Sequence, residues 1–303
     1  MNVRSRPTIR GVRWSVGDIT ITRVEEQVTG GIPLGAFLLD FDSGDLERHR
    51  WVAERFVGEG ETMPLSFHTF ALAVGDRRIL VDTGCGNHKP RTGIGADLFN
   101  GLDTPFLDRL TAAGFAPESI DTVVCTHLHV DHVGWNTRLE GDRWVPTFPN
   151  ARYVFVDRDF EHWARQDEEM HAASFADSVR PIAEAGLADL VPRDHVLCDE
   201  VRLEPTPGHT PGHASVRITS GGASAVITGD MVHHPLQLAA PERSSFADTD
   251  PVLATATRRE FVDRYADSGT LVFGTHFSPT GGQLHRDGTS VVLSDVPGAE
   301  VAP

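Results

Sequence analysis

A chain of 303 residues that is 40% hydrophobic can bury a full core, and it contains no 18-residue apolar run of the kind that spans a membrane. Its 43 acidic against 27 basic residues give a formal charge of −16, a field that repels nucleic acid. Three cysteines (Cys85, Cys125 and Cys198) lack paired spacing and suit reduced thiols in a cytoplasm, and no apolar segment follows the basic residues 1–7 to make a secretory signal. One domain, 1–303, without repeats or long linkers, located in the cytoplasm, is therefore expected.

In chain order, residues 25–68 come first and read as an insertion that shapes specificity or pairs two subunits, with ordinary core packing as the alternative. Within it 30–39 is loop-like and apolar, and 46–57 has the spacing of an amphipathic helix. Arg78-Ile79-Leu80-Val81-Asp82-Thr83-Gly84 is a buried strand that delivers a carboxylate to its tip. A helix over 104–113 places Leu107 and Leu110 on one face and stops at Gly114. The β-branched run 120–126 predicts a strand, and 157–168, with Phe160 and Trp163, predicts a helix. A Pro/Gly-stiffened loop, Pro205-Thr206-Pro207-Gly208-His209-Thr210-Pro211-Gly212-His213, precedes the strand Ala225-Val226-Ile227, which runs into Thr228-Gly229-Asp230. Asp250-Pro251 opens a helix lined by Leu253, Thr257, Phe261 and Tyr265 until Gly269, and Leu271-Val272-Phe273 is a strand ending in Gly274-Thr275-His276.

The strand over 120–126 feeds the run His127-Leu128-His129-Val130-Asp131-His132, four metal-ligand side chains within six residues. Such groups cost desolvation energy without stabilising a core, and imidazole with carboxylate is the donor set of catalytic zinc. In an extended turn His127 and His129 point to one ion, and Asp131 and His132, on the next bend, to a second. Two divalent ions about 3.5–4 Å apart can share a water and turn it into a nucleophile near neutral pH. There is no Gly-x-Ser-x-Gly elbow for serine chemistry.

With these strand ends and the His-x-His-x-Asp-His run, the sequence resembles the metallo-β-lactamase-fold hydrolase superfamily from about Phe70 to His276. The resemblance implies an α/β fold of αββα four-layer sandwich type. It implies one metal held by His127, His129 and His209, a second held by Asp131, His132 and His276, and Asp230 bridging the two. Asp82 matches a strand-end Asp of the family that fixes the tautomer of a ligand histidine. His213 competes with His209 and is read as a packing or hydrogen-bonding residue; His234 is read as structural, and Cys85 and Cys125 as small buried groups.

Departures sort the branches. His129 argues against flavodiiron-type members, which carry Glu there, and Asp230 against zinc β-lactamases with a Cys ligand. Only 27 residues follow His276, which leaves no room for the basic helical region of glyoxalase-type thioesterases, and Lys89 is the sole lysine. The lactonase and organophosphate-hydrolase-like branch remains, and His233, three residues after Asp230, is similar to its aryl-phosphotriester members. His233 either orients or protonates a leaving oxygen or is a wall residue; Asp131 is the other candidate catalytic group. The expected activity is hydrolysis of a small carboxylic ester or lactone by a metal-bridging hydroxide, with thioesters or phosphotriesters as alternatives and non-catalytic metal or ligand binding as the non-enzyme alternative. Zinc is the expected metal, and iron, manganese or cobalt suit the same donors. Expected pocket walls are Phe37, Phe67, Trp135 and Phe277, and related lactonases imply a homodimer.

Overall fold

Alternating burial along short β-branched strands builds two sheets that share one core. The computed structural model describes residues 12–93, 95–278, 281–296 and 300–301; the basic segment 1–7 lies outside them. The first sheet contains β1 (Val12–Val16), β2 (Ile19–Val28), β3 (Ser66–Val74), β4 (Arg77–Val81), β5 (Thr122–Val124), β6 (Arg152–Val156) and β7 (Ala188–Val191). The second contains β8 (Val196–Cys198), β9 (Val201–Pro205), β10 (Ala214–Ser220), β11 (Ala223–Ile227), β12 (Leu271–Phe273), β13 (Gly281–Asp287) and β14 (Ser290–Leu293). A last strand, β15 (Glu300–Val301), returns to β1, so the orders are β7-β6-β5-β4-β3-β2-β1-β15 and β8-β9-β10-β11-β12-β13-β14.

Period-two alternation assigns side chains to layers. Phe70, Leu72, Val124, Val154 and Val156 of the first sheet meet Val216, Ile218, Ala225, Ile227 and Phe273 of the second in the central core. Their neighbours Ala71, Val123, Tyr153 and Phe155 face the other way, onto Phe106, Leu110, Trp163 and Ile182 from helices. On the outer face of the second sheet, Val226, Val272 and Leu284 pack on Phe261 and Tyr265 of the helix Pro251–Tyr265 and on Phe37, Val52 and Phe56 of the segment after β2. The layers therefore run helix, sheet, sheet, helix, as expected. Among the described residues no helix is long and apolar enough to cross a membrane.

Several boundaries differ from the sequence reading. The span 25–68 is not wholly an insertion, because Glu25 to Val28 pairs with Ser66 to His68 in the β2–β3 ladder. The helix expected over 46–57 is two, Gly44–Arg48 and Arg50–Phe56, broken at His49 (φ −117°, ψ 61°). Buried Asp45 in the first of them pairs with Arg243 at 2.7 Å. The apolar stretch 30–39 holds a helical turn, Leu34–Phe37. The helix expected over 104–113 is Phe106–Ala112, with Phe106 and Leu110 as its buried pair. The one expected over 157–168 stops at Trp163, because Glu168 is extended and caps the next helix, Glu169–Ser174. The last helix has the expected Asp250 cap, but it ends at Tyr265 and buries Ala254 and Arg258 rather than Leu253.

Candidate metal centre

Two parallel strand pairs aim their carboxyl ends at one place. β4 lies parallel to β5 in the first sheet, and β11 parallel to β12 in the second. The chain leaves β4 at Asp82, β5 towards His127, β11 towards Asp230 and β12 towards His276, while the loop after β9 brings His209 across. Tight turns hold these ends. Asp82 takes a left-handed φ of 58°, which Asp tolerates, and Gly134 passes so close to Cys85 and Gly86 that no side chain fits. Glu26, buried, locks the same crossing by accepting hydrogen bonds from Cys85 N, Gly86 N and Trp135 Nε1.

Ligand-type atoms fall into two adjoining groups and a third that overlaps them. His127, His129 and His209 form one, Asp131, His132, Asp230 and His276 the second, and His209, His233 and Asp248 the third, the atoms within each lying within 4.8 Å of one another. Asp230 reaches into the first two: its Oδ2 is 3.2 Å from His132 Nε2, 3.1 Å from His276 Nε2, 3.7 Å from His209 Nε2 and 3.9 Å from His127 Nε2. All seven residues named from the sequence are thus brought together.

Surrounding acceptors fix the rings. His132 Nδ1 donates to Asp82 Oδ2 at 2.8 Å, and Asp82 Oδ1 also accepts from Thr126 N. His276 Nδ1 donates to Ser66 O, and His209 Nδ1 to Asp248 Oδ1 at 3.0 Å. Their Nε2 atoms therefore turn inward as the ligating positions, whereas His129 approaches His209 through Nδ1. Asp248 is secured in turn by the buried Arg258 at 3.2 Å.

The donor set fits a cation. The Nε2 atoms of His127 and His132 and Oδ1 of Asp230 are buried and make no aligned hydrogen bond, a costly state for three polar atoms in one place. Burial, reinforced by neighbouring imidazoles, holds His127 and His129 well below the usual imidazole range, so they are neutral, the ligand form. Burial opposes charge on His132 and His276 too, but Asp230 and its fellow carboxylates outweigh it and raise them. Protons drawn there by Asp230 are those a divalent cation would displace.

Three further histidines stand near the motifs. His234 Nε2 donates to Phe56 O at 3.2 Å and is satisfied there, whereas His213 Nδ1 bonds Thr206 Oγ1 at 2.9 Å while its buried Nε2 has no hydrogen-bond partner among the described residues. His233 is different: its Nε2 lies 3.1 Å from Asp230 Oδ2, its ring is parallel to His276 at 5.8 Å, and it faces a cavity.

That cavity, about 560 Å³, opens over the two groups. Phe37, Phe67, Val130, Trp163, Met170 and Phe246 supply its apolar wall, and Asp131, His171, Asp230 and His233 are among its polar members. Phe37 and Phe67 were expected there. Trp135 and Phe277 are not among its walls: Trp135 stacks on Phe106 at 5.5 Å on the far side of the first sheet, and Phe277 turns onto Phe56 at 6.3 Å. Proximity to the motifs misled in both cases: Phe277 directly follows the candidate ligand His276 and turns away from it, and Trp135, three residues after His132, lies on the opposite side of the sheet. Trp163, Met170, His171, Phe246 and Asp248 were missed; all come from segments without a strand-end pattern, and no local signal marks them.

Comparison with known proteins agrees with this geometry. The sequence profile described as Metallo-beta-lactamase superfamily matches residues 67–276. An N-acyl homoserine lactonase of Bacillus thuringiensis is 24% identical over 259 residues, 81% of this chain and 91% of that protein. A probable metallo-hydrolase of Mycobacterium tuberculosis is 28% identical over 192 residues, 55% of this chain and 57% of that one. Among solved structures, the hydrolase AbOPH of the beta lactamase superfamily superposes with a TM-score of 0.77 at 24% identity, covering 96% of this chain and 99% of that one. AidC, a dizinc quorum-quenching lactonase in complex with a product, gives 0.78 at 19% identity, covering 94% and 97%. With the matched region running from β3 to the last candidate ligand, the chain belongs to the metallo-beta-lactamase superfamily.

Proposed function

We propose that this protein is a metal-dependent hydrolase of a carboxylic ester or lactone. The observation that carries the reading is Asp230, a buried carboxylate reaching both groups of inward-facing donors. His127, His129 and His209 would hold one divalent cation and Asp131, His132 and His276 a second, with Asp230 shared. Zinc is the cation we assign; iron, manganese and cobalt suit the same donors. When bound, such cations acidify water and draw electron density from an acyl carbonyl.

The chain's own residues supply the rest. Asp82, Asp248 and Ser66 O hold the imidazoles in the ligating tautomer. Asp131, 12% exposed at its side chain, faces the cavity and can take the proton of the attacking water and return it to the leaving oxygen as the acyl C–O bond breaks. No Lys or Arg is among the cavity's described lining residues, and the apolar wall suits a neutral acyl or alkyl group. The lactonases among the relatives act on substrates of that kind by name. His233, three residues after Asp230, resembles the aryl-phosphotriester members of the family, which keeps phosphotriesters as a second reading. Turnover of a panel of lactones, aryl esters, thioesters and phosphotriesters by the metal-loaded protein tests both readings. Lactone or ester turnover that His129→Ala or Asp230→Asn abolishes is expected; turnover unaffected by either substitution would refute the mechanism, and no turnover on any member would favour a binding protein.

A further inference from the structure

A buried carboxylate outside the donor groups grips the loop that carries His209. Strand β6 lies parallel to β5 and leads into the helix Asp157–Trp163, whose third residue, Asp159, is fully buried. Asp159 Oδ1 accepts from Gly212 N at 2.6 Å, and Oδ2 accepts from Thr210 Oγ1 at 2.8 Å. Leu128 N, between His127 and His129, faces the same carboxylate. Gly212 is pressed so closely on the helix that a Cβ would stand 2.5 Å from Asp159 N and 2.7 Å from Oδ1. One turn further on, Trp163 of the same helix meets the His129 ring at 4.9 Å between centroids.

Asp248 sets the tautomer of His209, but where the His209 backbone stands relative to His127 and His129 is a separate matter. Two contacts hold that distance. Ala214 N donates to Thr126 O at 3.0 Å where the loop ends, and Asp159 joins loop to turn beside His209 itself.

We infer that Asp159 is a positioning residue that clamps the His209 loop to the His127–His129 turn, so that this donor group, and not the one around His132 and His276, depends on it for cation affinity. The inference rests on the metal-dependent hydrolase reading. A donor group assembled before the cation arrives binds it without first ordering a loop, and that ordering cost appears as lost affinity once the clamp is removed. The second group takes its support from Asp82 and Ser66 O instead.

The test titrates zinc against a chromophoric chelator in the full chain. His276→Ala isolates the first group for measurement, and His129→Ala isolates the second. Adding Asp159→Ala should weaken zinc binding roughly tenfold in the His276→Ala background and leave it within twofold in the His129→Ala background. Equal losses in both backgrounds would mark a merely structural residue, and no loss in the first would mean that the loop stands without its clamp; either result overturns the inference. If Asp159→Ala does not fold, Thr210→Val, which removes the 2.8 Å bond with little change of shape, is judged by the same criterion with about a threefold loss expected. A wild type that binds no zinc refutes the hydrolase reading and the inference together. Two zinc ions without turnover of any ester or lactone refute the hydrolase reading alone, and the titration still decides for or against Asp159.

Discussion

Asp82→Asn separates the role of a carboxylate from that of its shape. Asp82 is buried with φ 58°, a conformation Asn also tolerates, and the two side chains are nearly isosteric. The amide oxygen can keep the 2.7 Å bond from Thr126 N, which ties β4 to the turn. The other oxygen is replaced by an NH₂ facing His132 Nδ1, where the two atoms stand 2.8 Å apart. Two donors cannot share that contact, so the ring must shift its hydrogen to Nε2, the atom that points at Asp230. Loss of such a supporting carboxylate typically weakens metal affinity by about 10–100-fold, which is about 1.4–2.8 kcal/mol. Competition against a chromophoric chelator measures it, with thermal unfolding of the metal-free protein as control. Affinity within twofold of the wild type would refute the tautomer argument; lost affinity with the melting temperature retained is expected.

Three further outcomes follow from the packing. Gly134→Ala places a Cβ on the Cys85 carbonyl and 2.5 Å from Gly86 N, so the two turns must part, and a loss of about 3 kcal/mol or more in denaturant unfolding is expected; a change under 1 kcal/mol would show that the crossing is loose. Arg258→Met leaves the buried Asp248 carboxylate without its guanidinium partner, held only by the His209 and Ser245 N hydrogen bonds, and should cost about 3 kcal/mol in the same assay, whereas a neutral result would mean that Asp248 reaches water. Burial pushes His234 down to about 4, below its ordinary value of 6.5. The stabilisation from keeping it neutral is complete above about pH 6.5 and is lost as pH falls towards 4, up to about 3 kcal/mol. Unfolding free energies at pH 7 and 4.5 should therefore converge in His234→Gln relative to the wild type, and an unaltered slope would contradict that sign.

Six of the seven candidate ligand positions were legible because they follow apolar, largely β-branched runs that mark buried strands, and a carboxylate or imidazole at such a tip has few structural uses; His209, on a Pro/Gly loop, was named only through the family resemblance. Asp82 was legible as those six were. The cavity wall was not. Phe246 and Met170 carry no period or spacing that separates a wall from a core, and Trp163 serves as both, packing in the helix layer while lining the cavity. Asp248 was hidden among ordinary loop polar residues; only folding shows that it grips His209. The helix limits around His49 were not legible, since the first helix is tied by Asp45 to Arg243, 198 residues away, a contact that no local pattern announces.

Elemental analysis of the purified protein, paired with a titration of turnover against added cation after chelation, examines the central claim most directly. Two divalent ions per chain, with ester or lactone hydrolysis rising in step with their binding and Asp230→Asn losing at least one of them, is the expected result. A chain that binds no such ion, or that hydrolyses these substrates undiminished after chelation, would contradict it.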